Sequence, residues 1–176
     1  MNRSTLYRKR LVLLSVCLFA AALSSQAHAQ DLVVPPQAAP PPMIYIPQET
    51  RTQLLSARDE KARTRLTLEL AEARLVHAEQ QTELKQFNAA TADLGVYQAL
   101  MEDVIQNLYR AGGGGGRSRD LFKRVEQALH KHLSRVEAMR RATPGEFSGN
   151  VLALVKHVRE LRAEALEAFY SDTIIR

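Results

Sequence analysis

The stretch from Glu49 to Asp172 contains a single proline, Pro144, and is rich in alanine, leucine, glutamate, arginine and glutamine. These residue types favour helices, and the apolar residues among them recur three and four positions apart. Such spacing places apolar side chains on one face of a helix, whereas a half-buried strand would alternate apolar and polar residues. The sequence therefore predicts an all-α protein.

Four helices are predicted. The first covers residues 50–86 and, at about 1.5 Å per residue, is long enough that we expect a bend or break within 56–60. The second covers 89–109, the third starts near Ser118, and the fourth frays near Ser171. Between the last two, Thr143 is predicted to cap the fourth helix, with Pro144 at its first position and Glu146 completing a capping box.

Each predicted helix has an apolar stripe. For the first helix, the predicted stripe is Leu55, Ala62, Leu66, Leu70, Ala73 and Leu84. For the second it is Leu94, Tyr97, Met101, Val104 and Leu108. For the third it is Phe122, Val125, Leu129, His132, Val136 and Met139. For the fourth it is Phe147, Val151, Leu154, Val158, Leu161, Ala165 and Ala168.

These stripes are the seams of left-handed helical packing, so we expect an antiparallel four-helix bundle. The alternative is a pair of helical hairpins, residues 49–111 and 118–172, that complete their core only in a homodimer. Residues 112–117 include five consecutive glycines and predict a mobile linker between the hairpins. A phosphate-binding loop is not expected there, because no strand precedes the glycines and no Gly-Lys-Ser/Thr follows them.

Residues 1–29 have the pattern of an export signal. A basic stretch, Arg8-Lys9-Arg10, is followed by an apolar run from Leu11 to Leu23 and by the small-x-small site Ala27-His28-Ala29. The apolar run is shorter than the roughly 20 residues that span a bilayer. We therefore expect cleavage after Ala29, a periplasmic or secreted protein, and no transmembrane segment after cleavage.

The predicted leader also changes the chemistry of the mature chain. The only cysteine, Cys17, lies in the leader, and Val16 before it disfavours lipidation, so disulfides and thiolate sites are excluded from the mature protein. The whole chain has 24 Lys and Arg against 19 Asp and Glu. Four of the basic residues lie in the leader, which leaves 20 against 19 and removes the electrostatic case for nucleic acid.

Residues 30–48 form a Pro-rich arm with almost no charge, and six of its residues are proline. Proline removes backbone donors and constrains the residue before it, so an extended arm is expected. The apolar segment from Met43 to Ile46 makes the arm a candidate docking segment for a protein partner. The alternative is a spacer, or an arm that packs on its own domain.

The histidines are the first candidates for site chemistry. His130 and His132 lie two positions apart and point to different faces of a helix, so they cannot bind one metal ion together. His77 and His132 lie near the apolar seams and are expected to be paired core or boundary histidines, which would make stability pH-dependent. None of the four histidines His77, His130, His132 and His157 is predicted to be a catalytic, cofactor-binding or metal-binding residue. Glu126 and His130, four positions apart, are the one pair considered for zinc.

Charged residues on the helices predict solvated surface. The pairs Glu69 and Glu72, and Glu164 and Glu167, lie three positions apart on faces rich in arginine and are expected to form surface ion pairs. The third helix is distinctly basic, with Arg117, Arg119, Lys123, Arg124, Lys131, Arg135, Arg140 and Arg141. This face could meet an anionic partner, or the acids of the first helix could neutralise it.

One further pattern is Arg63-x-x-Leu66-x-Leu68-Glu69-Leu70-Ala71-Glu72-x-Arg74-Leu75-x-x-Ala78-Glu79, followed by Ala90, Leu94 and Tyr97. In this pattern the chain resembles a bacterial family of unknown function that occurs in exported or membrane-attached proteins. The resemblance covers residues 50–108 and departs from the family pattern at Val76-His77. It implies a long helix followed by a second one, and no known activity, cofactor or functional residue.

These features predict an exported, non-enzymatic helical protein that acts by binding a partner, or has a structural role, at the cell envelope. The alternative is a periplasmic stress chaperone or metal-responsive protein. Small helical proteins of that kind are similar in their hairpin build, but their Leu-Thr-x-x-Gln motif is incomplete here, since Leu66-Thr67 is followed by Leu70 in the glutamine position.

Overall fold

The structure, a computed structural model, describes residues 38–112 and 116–171. Within these ranges every regular element is a helix, which confirms the all-α prediction. The helices are α1 (Gln48–Leu55), α2 (Glu60–Glu83), α3 (Phe87–Arg110), α4 (Gly116–Ala142) and α5 (Gly145–Ser171). The predicted leader with Cys17, the arm residues 30–37, the linker residues 113–115 and residue 172 lie outside the described ranges.

The predicted break in the first helix is confirmed. Helix α1 ends at Leu55, where the Ser56 hydroxyl donates a 2.7 Å hydrogen bond to the Gln53 carbonyl. Helix α2 begins after Asp59, whose carboxylate accepts a 2.7 Å hydrogen bond from the Ala62 backbone N–H. A side-chain oxygen at this position satisfies one of the N–H groups that a helix start leaves unpaired.

The four long helices form two antiparallel hairpins. Within the first hairpin, ion pairs join Arg63 to Asp103 and Arg74 to Asp93, so α2 and α3 run in opposite directions. In the second, an ion pair joins Glu126 of α4 to Arg162 of α5. The hairpins pack with α2 beside α4 and α3 beside α5, and α3 also contacts α4. A single chain therefore forms a four-helix core, and no helix among the described residues is long and apolar enough to span a membrane.

Three of the four predicted seams are confirmed. Every residue of the second and third stripes is buried, and so is the fourth stripe from Val151 to Ala168, with Phe147 half-buried. The largest fully buried side chains include Tyr97 and Phe122. Periodicity alone located these faces because their apolar residues are large and regularly spaced.

The predicted stripe of the first helix is confirmed only at Leu66 and Leu70, which are half-buried and pack against the core. Leu55 and Leu84 are 72% and 65% exposed, and Ala73 is exposed as well. The buried face of α2 is Thr64, Thr67, Ala71, Leu75, Ala78 and Thr82. The hydroxyls of Thr67 and Thr82 donate to the carbonyls of Arg63 and Ala78, one turn earlier, which lets the threonine methyl groups pack inward.

The predicted cap of the fourth helix is also wrong. The Thr143 hydroxyl donates a 2.7 Å hydrogen bond back to the Met139 carbonyl. Helix α5 begins at Gly145, and the backbone N–H groups of Phe147 and Ser148 both bond to the Pro144 carbonyl. The boundary between α4 and α5 lies where it was predicted. The Thr143 side chain, however, bonds to the last turn of α4 and does not cap the start of α5.

Candidate functional site

Five polar side chains connect the hairpins beside the core, and we call them the hairpin cluster: Glu72, Glu79, Tyr97, His132 and Arg135. The imidazole of His132 has Nε2 2.8 Å from Glu72 Oε2 and Nδ1 3.1 Å from the Tyr97 hydroxyl. The guanidinium of Arg135 donates to both Glu79 oxygens, at 2.7 and 2.6 Å, and to Glu72. Helices α2, α3 and α4 are thus joined by one network.

The partners of His132 define its neutral tautomer. A carboxylate can only accept, so Nε2–H donates to Glu72, and Nδ1 then accepts from the Tyr97 hydroxyl. Burial lowers the pKa of His132, and this effect exceeds the opposing attraction of Glu72. Burial likewise raises the pKa of Tyr97, with the Glu72 charge adding to it, so the hydroxyl stays protonated.

The carboxylate of Glu72 is held in its charged form. Burial alone would raise the pKa of Glu72, but the hydrogen bond and charge of Arg135, together with His132, outweigh burial and lower it. The hydrogen bond to Glu79 is the main reason that the pKa of Arg135 is raised, and burial only partly opposes it. Because Tyr97 and His132 are 0% and 4% exposed, their hydrogen bonds join facing helices and replace bonds to solvent.

The other histidines within residues 38–112 and 116–171 lie apart from one another. His77 is at the edge of the first hairpin, where Nδ1 lies 2.6 Å from Asp93, a buried carboxylate that also binds Arg74. Nε2 of His157 lies 2.7 Å from Oε1 of Glu102. This distance is within the range of an ion pair, but the two groups are not aligned for a hydrogen bond. His132 is therefore the paired core histidine that the sequence predicts, and His77 is a paired boundary one.

Glu126 and His130, the two residues considered for zinc, form no hydrogen bond or ion pair with each other in the described part of the chain. Glu126 is half-buried and forms an ion pair of 2.8 Å with Arg162, while His130 is exposed on α4. Among the described residues, no group of three or more His, Cys, Asp and Glu side chains is placed to hold a metal ion.

A groove of about 360 Å³ runs between α2 and α4, beside the hairpin cluster, and we call it the basic groove. Its apolar wall includes Leu68, Leu121 and Ala128. The charged groups along it are Lys61, Arg65, Arg124 and Lys131, with Glu69 and Glu72.

The surface ion pair predicted for Glu69 is present, to Arg65 at 3.3 Å, whereas Glu72 belongs to the hairpin cluster. Within the described ranges, the acids of α2 thus neutralise Arg135 of α4 and Arg65 of the groove, but not Lys61, Arg124 or Lys131.

The described part of the arm packs on its own domain, which was one of the two alternatives. The Ala39 backbone N–H donates a 2.8 Å hydrogen bond to the Glu146 carbonyl, and the Asn150 side chain donates to the Pro40 carbonyl at 2.9 Å. The arm also runs close over α3, where a methyl group on Gly95 would lie 2.4 Å from the Met43 carbonyl oxygen. Even so, Met43, Ile44 and Tyr45 are 76%, 50% and 50% exposed.

The interhelical contacts of Glu72, Glu79 and Arg135 were not predicted from the sequence. Glu72 was predicted to lie on a salt-bridged surface, Arg135 on a basic face that the acids of the first helix could neutralise, and no role was predicted for Glu79. An exposed and an interhelical ion pair look alike in a sequence. The one available signal was His132 within an apolar seam, since a buried imidazole needs hydrogen-bond partners from facing helices. Comparisons of the chain with protein-family models, with curated proteins and with solved structures found no match, so the resemblance over residues 50–108 stays a prediction.

Proposed function

We propose that this is an exported, non-enzymatic helical protein that binds a protein partner at the cell envelope through the apolar face of its arm. The observation that carries the proposal is the outward display of three consecutive apolar side chains, Met43, Ile44 and Tyr45, on a segment attached to the bundle. Exposed apolar side chains that cluster, unlike scattered ones, are typical of interaction sites.

The way the arm is held supports this role. A hydrogen bond from the Ala39 N–H to the Glu146 carbonyl and one from the Asn150 side chain to the Pro40 carbonyl anchor the arm, and it continues at its other end into α1 after Pro47. A segment held in one conformation loses little entropy when a partner binds it. The arm is therefore better suited to binding than a free Pro-rich tail would be. The leader predicted from the sequence supports a location at the envelope.

Site-directed photocrosslinking in the native cell tests the proposal. A photoreactive phenylalanine analogue in place of Tyr45 should give a discrete adduct of higher mass, and Met43→Ser with Ile44→Ser should abolish it. The matched control places the same analogue at Leu84, which is exposed at the turn between α2 and α3. Identical adducts from both positions, or none from Tyr45, would count against the proposal.

A further inference from the structure

The basic groove between α2 and α4 combines an apolar wall with an excess of positive charge. Four cationic side chains lie along it against two carboxylates. Both carboxylates already have partners, Glu69 in Arg65 and Glu72 in Arg135 and His132. Lys61, Arg124 and Lys131 form no ion pair within residues 38–112 and 116–171. The uncompensated charge of the groove is therefore positive.

Thr64 provides a second, independent observation. It lines the groove and is 1% exposed, and its hydroxyl has no hydrogen-bond partner among the described residues. Thr67 and Thr82, on the same face of α2, both donate to the carbonyl one turn earlier. A buried hydroxyl without a partner is costly, and it marks a position where a ligand can supply the missing hydrogen bond.

We infer that the basic groove binds a single-chain amphipathic anion of the fatty-acid type. The hydrocarbon chain would lie along Leu68, Leu121 and Ala128, and the carboxylate would meet Lys61, Lys131 or Arg124 and accept a hydrogen bond from Thr64. The volume is in the range of sites for small ligands, which are mostly apolar with a few polar groups that orient the ligand. This site is separate from the arm and does not depend on the function proposed above.

The ligand is inferred from two properties, a hydrocarbon chain that matches the apolar wall and a negative head group that matches the cations. A small inorganic anion would use the cations but leave the apolar wall in water, and a cationic amphiphile would fill the wall but meet like charge. An anionic bilayer surface presents head groups and keeps its hydrocarbon chains in the bilayer core, so contact with that surface would leave the apolar wall of the groove unused. A free amphiphile with a negative head group satisfies the wall, the cations and Thr64 together.

Calorimetric titration of the full mature chain tests the inference. Dodecanoate below its micelle concentration should bind one molecule per chain, while dodecyltrimethylammonium and inorganic phosphate should bind at least about tenfold more weakly. Equal binding of the cationic amphiphile would overturn the inference. Binding to phosphatidylglycerol vesicles without binding of dodecanoate would also overturn it and point to a membrane surface instead.

Two variants locate the site. Thr64→Val should weaken dodecanoate binding about three- to tenfold, and at the same time leave the melting temperature of the free protein unchanged or raise it, because an unpartnered hydroxyl is replaced by an isosteric methyl. Lys61→Gln with Lys131→Gln should weaken binding at least about tenfold, whereas Arg141→Gln, an exposed residue farther along α4, should change it less than twofold. Unchanged affinity in both groove variants would refute the placement, as would a loss of folding stability in Thr64→Val that parallels the loss of binding.

Discussion

The hydroxyl of Tyr97 donates a 3.1 Å hydrogen bond to Nδ1 of His132 across the interface between the two hairpins. The same imidazole reaches Glu72 on the opposite side, so one buried ring links α2, α3 and α4. Two helices that pack through apolar side chains alone can shift along one another at little cost. A network with defined hydrogen-bond donors and acceptors is satisfied in only one alignment of the helices. The pair therefore specifies how the hairpins sit on each other.

Replacement of Tyr97 by phenylalanine should lower the free energy of unfolding by about 1 to 2 kcal/mol, because Nδ1 of His132 is left buried without a donor. Urea denaturation followed by circular dichroism measures this difference. Tyr170→Phe is the matched control, since Tyr170 is exposed and should change stability by less than about 0.5 kcal/mol. Equal stability of the Tyr97→Phe variant and the parent chain would show that the hydrogen bond does not hold the hairpins.

Stability should fall as the pH is lowered from 7.5 to 5. The folded-state pKa of His132 is below its ordinary value of 6.5, so the unfolded chain takes up the proton first. The stabilisation is therefore complete above about pH 6.5 and is lost as the pH falls toward the folded-state pKa. The lowered pKa of Glu72 adds a further loss only below its ordinary value of 4.5.

Urea titrations at pH 7.5 and 5 of His132→Gln isolate this contribution. The charged and titratable groups around His132 are Glu72 and Glu79 of α2, Tyr97 of α3 and Arg135 of α4. The variant should be less stable at pH 7.5 and should lose less stability on acidification than the parent chain. His130→Gln, on the exposed side of α4, should retain the full pH dependence. The same pH dependence in both variants would assign it to other groups.

Replacement of Gly95 by alanine should release the arm. The new methyl group would lie 2.4 Å from the Met43 carbonyl oxygen, which is backbone and cannot turn aside. Hydrogen exchange at the Ala39 N–H, which bonds to the Glu146 carbonyl, should become faster. Gly149→Ala, where nothing lies within 4 Å, should instead stabilise α5 by about 0.5 to 1 kcal/mol and leave exchange at Ala39 unchanged. An arm equally protected in both variants would contradict the packing of the arm on α3.

Replacement of Lys85 by glycine should stabilise the first hairpin. Lys85 has φ of 59° in the turn after α2, a left-handed conformation that is strained for residues with a side chain. Glycine removes this strain, for an expected gain of about 0.5 kcal/mol in the free energy of unfolding. Gln80 is exposed and lies inside α2, so glycine there relieves no strain and should cost about 0.5 to 1 kcal/mol. Thermal melting of both variants measures the difference, and a loss of stability in Lys85→Gly would show that the turn is not strained.

The seam of α4 and the buried face of α2 show where sequence reasoning succeeds and where it fails. In α4 the buried positions from Leu121 to Met139 are large apolar residues and His132, so their spacing revealed the face. In α2 half of the buried face is threonine, which counts as polar in any hydropathy pattern. The hydroxyls of Thr67 and Thr82 bond within the helix, so these two residues pack as apolar ones, and only the structure shows this.

The sequence by itself determined the helices, the break before α2, and the buried faces of α3, α4 and α5. These features depend on residues within a few positions of one another, and local periodicity contains that information. Only the tertiary structure decided that Glu72 meets His132 and Arg135, that Thr64 lines a basic groove, and that Gly95 lies under Met43. The residues that meet in each of these features lie far apart in the chain. Their distance in space therefore depends on which helix packs beside which.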